Sequence, residues 1–237
     1  MIADRSGSEW IDWGKEFLAR LIRIFRIRFD SSTIDSVESL VEFLQTRAAY
    51  VAQTALYGYL KTRMGRDYVM IFKDEKFAPA LNQAKWQVYA ACLSDLTVYA
   101  AEKVGSGAPD DRAQFAVHCH RCCVDDTFIG NIAEDLKDDI LTEFQQRCRH
   151  VVWGNIGIGE GAFSRSPVAL AECSPVSDEF KKLDREIVMN SVRFRWNDVR
   201  EQLAKRLDGD SIWQAWRRQP GRVAADQDQA TAVPDVV

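Results

Sequence analysis

The sequence predicts an all-α protein, a bundle of five to six major helices with an N-terminal amphipathic helix and a disordered C-terminal tail. Apolar residues recur at spacings of three and four along most of the 237 residues, which is the period of one helix face. Only one short β-like run, at residues 151–153, departs from this period. Glycine and proline are confined to a few places, so they mark the ends of long helices rather than a succession of turns.

The expected organisation has three parts: an amphipathic helix in residues 1–32, a helical bundle domain in 33–218 and a disordered tail in 219–237. A polar break at residues 30–33 separates the first two parts and offers several helix N-caps. The bundle helices are expected at about residues 34–64, 79–103, 109–128, 132–152, 177–207 and 211–218. Residues 154–175 contain four glycines and two prolines, which favours a long ordered loop there.

The helix expected at 79–103 is predicted to be the centre of the bundle. It starts at Pro79, a residue that helices tolerate in their first turn. Residues 88–101 are apolar nearly all round, as in a helix that other helices surround. Short connections favour antiparallel packing of the neighbouring helices around it.

The most informative stretch is residues 9–29, in which bulky apolar side chains are interleaved with basic ones. At about 100° per residue the apolar side chains gather on one half of a helix and the basic ones on the other. The side chains expected to bind a membrane or partner are Trp10, Trp13, Phe17, Arg20, Leu21, Arg23, Phe25 and Arg26. Tryptophans and an arginine-rich polar face are typical of helices that lie in a membrane interface. The competing interpretation is that the apolar half packs on the protein's own bundle.

Composition narrows the classes of function. A net charge of −4 argues against nucleic-acid binding by the whole chain. We find neither a secretory signal nor an apolar run of the roughly 18 residues that a membrane span requires. Together with the segment at residues 9–29, these features predict a non-catalytic cytoplasmic protein that is peripheral to the inner face of a membrane. Its expected partner is a membrane surface or a membrane protein complex. A homo-oligomer is compatible with this composition.

A cluster of cysteine and histidine gives an alternative, a metal-binding or thiol-redox-sensing protein. On a helix His118 shares a face with Cys122, and Cys119, Cys122 and Asp126 follow at related spacings. Thiolates and imidazole suit zinc or another transition metal. One helix rarely supplies a complete ligand set, so a distant ligand would be needed. The competing interpretation is that these cysteines are small apolar residues of a packed helix.

A third, weaker hypothesis is a small-molecule enzyme with a pocket around Asp95. This carboxylate lies in the middle of the most apolar helix, where burial is costly unless the group is paired. Arg47, Arg63 or a histidine is the expected partner, and the glycine-rich residues 154–161 would border the pocket. The structural alternative is an Asp–Arg or Asp–Tyr bond that fixes helix register. The glycine spacing does not match a phosphate-binding loop.

A second aromatic and basic patch is expected near the C-terminus. Trp213 and Trp216 are three residues apart beside Arg217 and Arg218. This composition suits contact with lipid headgroups or with a protein groove. The competing interpretation is that the two tryptophans pack into the bundle.

Overall fold

In the computed structural model the described part of the chain, residues 32–67, 74, 76–105, 107–125, 134–156 and 161–218, is predominantly α-helical. Its helices are α1 (Val37–Met64), α2 (Ala78–Val104), α3 (Pro109–Asp125), α4 (Glu134–His150), α5 (Arg165–Cys173), α6 (Asp178–Arg206) and α7 (Gly209–Arg217). No β-strand occurs within these ranges, and the β-like run at 151–153 is not a strand. The all-α fold class is therefore confirmed. The expected N-terminal helix and C-terminal tail lie outside the described residues.

The start of α1 differs from the prediction, because Ile34 belongs to a bridge rather than to the helix. Ile34 pairs with Leu207 in an isolated β-bridge, donating its N–H to the Arg206 carbonyl over 2.8 Å. Ser36 is the N-cap of α1, and it forms a reciprocal capping box with Ser39, which satisfies N–H groups that the first turn leaves open. The chain thus enters the bundle beside the C-terminal end of α6.

α2 is the central helix, as its all-round apolar pattern predicts. It packs against α1, α3, α5 and α7, and its residues from Cys92 to Ala101 are all buried. Pro79 lies in its first turn, where the missing N–H has no intrahelical partner to lose. The central stretch of α2 is therefore covered on all its sides by the helices around it.

The prediction of a loop over 154–175 is wrong in its second half, because residues 165–173 form α5. Pro167 lies in the first turn of this short helix, where proline is compatible with helical geometry. Leu170 and Ala171 are buried, and α5 packs against both α2 and α6. The glycines of the expected loop all lie at 154–161, outside α5, and tertiary burial makes a helix of residues 165–173 despite Pro167.

α6 is the long helix expected at about 177–207, and Ser177 is its N-cap. One face is buried, through Val188, Val192, Trp196 and other residues, against α5 and α1. α7 follows after Asp208, whose side chain accepts a hydrogen bond from the Ser211 N–H over 3.1 Å. Among the described helices none is long and apolar enough to cross a membrane.

Candidate functional site

The residues expected to bind a membrane or partner lie outside the described part of the chain. They are Trp10, Trp13, Phe17, Arg20, Leu21, Arg23, Phe25 and Arg26. Their role as a contact surface stays a prediction from the sequence. The described chain begins at Ser32, and Ile34 is the first buried apolar residue.

The second aromatic patch is part of the core, which agrees with the interpretation that the two tryptophans pack into the bundle. Trp213 and Trp216 are 5% and 1% exposed. Both rings pack edge-on against Phe115, with centroids 5.7 and 5.0 Å from its own. The two rings bury apolar surface against Phe115 of α3. The tryptophans therefore hold α7 on the bundle.

The histidine and cysteine cluster divides between two sides of α3. His118 Nε2 lies 3.9 Å from Cys122 Sγ on the half-buried side. Cys119 and Cys123 are buried, and Asp126 lies outside the described residues. Within the described part of the chain, no group of three or more histidine, cysteine or acidic side chains could hold a metal ion. The structure thus brings together one pair, His118 and Cys122, of the four expected ligands.

The thiols of this cluster are held in their protonated form. Burial raises the pKa of the Cys119 thiol, and burial together with the nearby Asp125 carboxylate raises that of Cys122. Burial also raises the pKa of Cys148 to about 12. Because the thiolate is the nucleophile and the metal ligand, a raised pKa lowers the reactivity of all three. Their environment is that of structural cysteines.

His120 occupies the buried side of α3 and is also part of the core. It is 1% exposed, and its ring stacks on that of Phe144 with centroids 3.8 Å apart. Neither ring nitrogen has a hydrogen-bond partner. Burial, with a smaller contribution from the Arg147 charge, lowers the pKa of His120 to about 3. The imidazole is therefore neutral, and the bundle carries two unsatisfied polar atoms at this position.

Asp95 is the centre of a buried polar network, and its partner is Arg147 rather than Arg47, Arg63 or a histidine. Arg147 Nη1 donates to Asp95 Oδ1 over 2.7 Å and to Ser94 Oγ over 2.8 Å. The Ser166 N–H donates to Asp95 Oδ2 over 2.7 Å. Trp196 Nε1 donates to Ser166 Oγ over 2.9 Å. The network thus joins α2, α4, α5 and α6.

This geometry matches the structural interpretation of Asp95. The carboxylate is fully buried, and burial raises its pKa while the Arg147 charge and the bonds from Ser166 lower it. A surface cavity of about 480 Å³ lies nearby and is lined in part by Arg147, His150 and Arg165. Asp95 lies behind Arg147 and does not line this cavity. The carboxylate thus lacks the open pocket that the enzyme hypothesis requires of it.

An exposed apolar surface on α6 was not expected from the sequence. Leu183, Ile187 and Phe194 are 71%, 74% and 77% exposed, and Phe180 is 40% exposed. Their spacings of three, four and seven residues place them within about 60° of one another on the helix. We call these four side chains the α6 stripe. Large apolar side chains grouped in this way mark interaction surfaces more often than isolated ones do.

The comparisons with known proteins find no match, whether by family model, by sequence against characterised proteins or by fold against solved structures. Function is therefore inferred from the chain's own side chains. Two surfaces are relevant to it. One is the aromatic and basic segment at residues 9–29, known from sequence, and the other is the α6 stripe.

Proposed function

We propose that this is a non-catalytic helical protein that binds an anionic membrane surface peripherally through residues 9–29. The carrying observation is the division of this segment into a bulky apolar half and an arginine-rich half. Residues 15–29 contain five basic and one acidic side chain, a local charge of +4 in a chain of net charge −4. Such a local positive charge favours a negatively charged lipid surface.

The energies involved are sufficient for reversible attachment. Apolar burial stabilises by about 25 cal/mol per Å², so several large side chains contribute several kcal/mol. Each arginine near an anionic surface adds about 1 kcal/mol. Ordering of the segment offsets part of this sum. The balance predicts binding that salt weakens, because only the basic half is screened.

The bundle supports this proposal by having a continuous core of its own. Its buried apolar residues extend from Ile34 to Trp216, and the described residues from Thr33 onward belong to one compact unit. Substitutions in residues 9–29 are therefore expected to leave the described helices folded. This allows membrane binding and folding to be measured separately.

The test is sedimentation of the full chain with vesicles of phosphatidylcholine and phosphatidylserine at low salt. We expect the wild-type protein to sediment with these vesicles and to stay in solution with phosphatidylcholine alone. The variant Arg20→Gln/Arg23→Gln/Arg26→Gln is expected to bind more weakly, by up to about a hundredfold, since it removes at most about 1 kcal/mol of attraction for each arginine. Phe17→Ser/Phe25→Ser is expected to lose binding at both low and high salt.

A matched control removes the same charge elsewhere. Arg149→Gln/Lys182→Gln/Arg217→Gln neutralises three exposed side chains on the bundle and is expected to bind like the wild type. Equal weakening in the two triple variants would mean that net charge, not this segment, controls binding. Wild-type protein that ignores anionic vesicles at low salt contradicts the proposal, and a membrane protein complex then becomes the partner to test.

A further inference from the structure

The α6 stripe is a fixed surface rather than a set of loose side chains. The opposite face of α6 is buried through Val188, Val192 and Trp196, so the helix cannot rotate to cover the stripe. Its N-terminal half is also tied to α1, where Arg63 forms an ion pair with Asp184. The stripe therefore presents about 21 Å of rigid apolar ridge, taking 1.5 Å per residue.

The spacing of the stripe is that of a helix-pairing seam. Phe180, Ile187 and Phe194 repeat every seven residues, and Leu183 occupies the second apolar position of the same heptad. Seven-residue repeats of this kind keep one face of a helix directed at a partner helix. Asn190 continues the second position after Leu183. The seam is thus mainly apolar with one polar residue near its middle.

We propose that the α6 stripe binds a second copy of this chain, with the two α6 helices antiparallel. In this pairing Phe194 packs against Leu183 of the second copy, and Ile187 lies opposite Asn190 of the second copy. Both contacts occur twice, because a two-fold axis relates the copies. Asn190 Oδ1 accepts a hydrogen bond from Arg193 Nη1 of its own helix over 2.9 Å, and a polar residue opposite Ile187 costs the pair some stability.

Charge complementarity favours this occupant and this orientation. Glu186 and Arg193 flank the seam on the same side, seven residues apart. In the antiparallel pair, Glu186 of each copy faces Arg193 of the other, so two opposite-charge contacts form. In a parallel pair Arg193 faces Asp198, so that side chain meets an opposite charge in either orientation, but Glu186 faces the uncharged Ser191. Both charges are paired only when one helix is inverted, and the charges on α6 therefore favour the antiparallel pair.

The area is adequate for a homodimer. The exposed parts of the four side chains amount to roughly 500 Å² per copy, taking about 150–200 Å² for a large side chain. Two copies thus bury about 1000 Å² before any flanking residue is counted, near the lower limit for a specific interface. A weak to moderate, concentration-dependent dimer is the expected result.

The first experiment measures the mass of the full chain by sedimentation equilibrium over a range of concentrations. We expect wild-type protein to dimerise and Ile187→Glu to raise the dissociation constant at least about hundredfold, since it buries an unpaired charge in the seam. Phe194→Ser is a second variant with the same expected direction. Ile187 is exposed in one copy, so circular dichroism should show an unchanged helical content.

The matched control is Val152→Glu, which places the same charge at an exposed apolar residue outside α6. Val152 is 68% exposed, and this variant is expected to dimerise like the wild type. Wild-type protein that stays monomeric throughout contradicts the proposal. So does a dimer that Ile187→Glu leaves intact or that Val152→Glu weakens equally, because the interface then lies elsewhere.

Charge exchange tests the orientation. Glu186→Arg and Arg193→Glu are each expected to weaken the dimer about tenfold, because each places like charges opposite one another. The double variant Glu186→Arg/Arg193→Glu restores the two contacts and is expected to recover most of the affinity. Two single effects that simply add in the double variant would contradict the antiparallel pairing.

Discussion

At the scale of single residues, the bundle interior contains two kinds of buried polar group. Asp95 is satisfied on both oxygens, by Arg147 and by the Ser166 N–H. His120 is satisfied on neither nitrogen. The first fixes how α2 faces α4 and α5, because displacement would leave a carboxylate buried without partners. The second lowers stability without any compensating bond in the described contacts.

His120 predicts a specific pH dependence of stability. Its pKa is about 3 in the folded protein against an ordinary value of 6.5, so between these values the unfolded chain binds one more proton. The part of the free energy of unfolding that depends on neutral His120 is therefore fully present above about pH 6.5, and it is lost as the pH falls toward 3. From pH 7.5 to 5.5 this group alone accounts for a loss of about 1.4 kcal/mol. Urea unfolding of wild type and His120→Leu at both pH values measures it.

The expected result is that His120→Leu is more stable than wild type at pH 7.5, by about 1 kcal/mol from the removal of two unsatisfied atoms. The advantage grows by about 1.4 kcal/mol at pH 5.5. His120→Gln is the control, since it keeps a polar group but does not titrate. It should lose the pH effect without the gain at pH 7.5. A difference between wild type and His120→Leu that is constant with pH would show that folding does not shift the pKa of His120.

At the scale of elements, the sequence predicts the long helices and the short terminal helix α7, but it misses α5. Residues 88–101 form the central helix because they are apolar all round, which only a surrounded helix satisfies. The glycines and prolines of residues 154–175 predict a loop where α5 lies, and nine residues give too few turns for a clear helical period to oppose that prediction. Its helicity depends on burial of Leu170 between α2 and α6, and no local pattern reports that contact.

At the candidate sites too, helical spacing predicts contacts within one helix but not contacts between helices. Helical spacing places His118 with Cys122, and the structure agrees, but spacing does not tell which side of α3 is buried. Arg147 lies 52 residues from Asp95, so periodicity could not select it over Arg47 or Arg63. The α6 stripe had a sequence signal, two apolar faces on one helix, which the many charged residues of α6 obscure. Tertiary packing decides each of these cases.

The turn between α2 and α3 gives a prediction at this scale. A Cβ atom on Gly107 would lie 2.5 Å from Cζ2 of Trp213, which is itself packed on Phe115. Gly107→Ala is therefore expected to destabilise the protein by about 1–3 kcal/mol, as overpacking of a rigid core does. Thermal and urea unfolding of the variant measure this change.

Gly58→Ala is the matched control. Gly58 lies within α1. A Cβ atom added to it would lie 3.6 Å from Arg195 Nη2, which is an ordinary contact distance. Alanine favours the helix by up to about 1 kcal/mol over glycine, so this variant is expected to gain stability. If Gly107→Ala were as stable as wild type, Trp213 would have to move, and its fluorescence spectrum would shift.

At the scale of the whole molecule, the two proposals place two kinds of contact on different parts of the chain. Residues 9–29 are proposed to bind anionic lipid, and the α6 stripe is proposed to bind a second copy. A dimer then carries two lipid-binding segments. Once one is bound, the other meets the membrane at an effective concentration set by its attachment, of the order of millimolar for short linkages. Dimerisation is therefore expected to strengthen membrane binding without any new lipid contact.

This coupling is tested with variants outside the lipid-binding segment. Ile187→Glu and Val152→Glu each add one negative charge at an exposed apolar residue of the bundle, so an anionic vesicle repels both to a similar degree. Ile187→Glu is expected to need at least about tenfold more lipid for half-maximal sedimentation, because it binds through one segment. Val152→Glu is expected to match the wild type. Equal lipid dependence for a monomeric Ile187→Glu variant would mean that one segment suffices, and that pairing of α6 serves a purpose other than attachment.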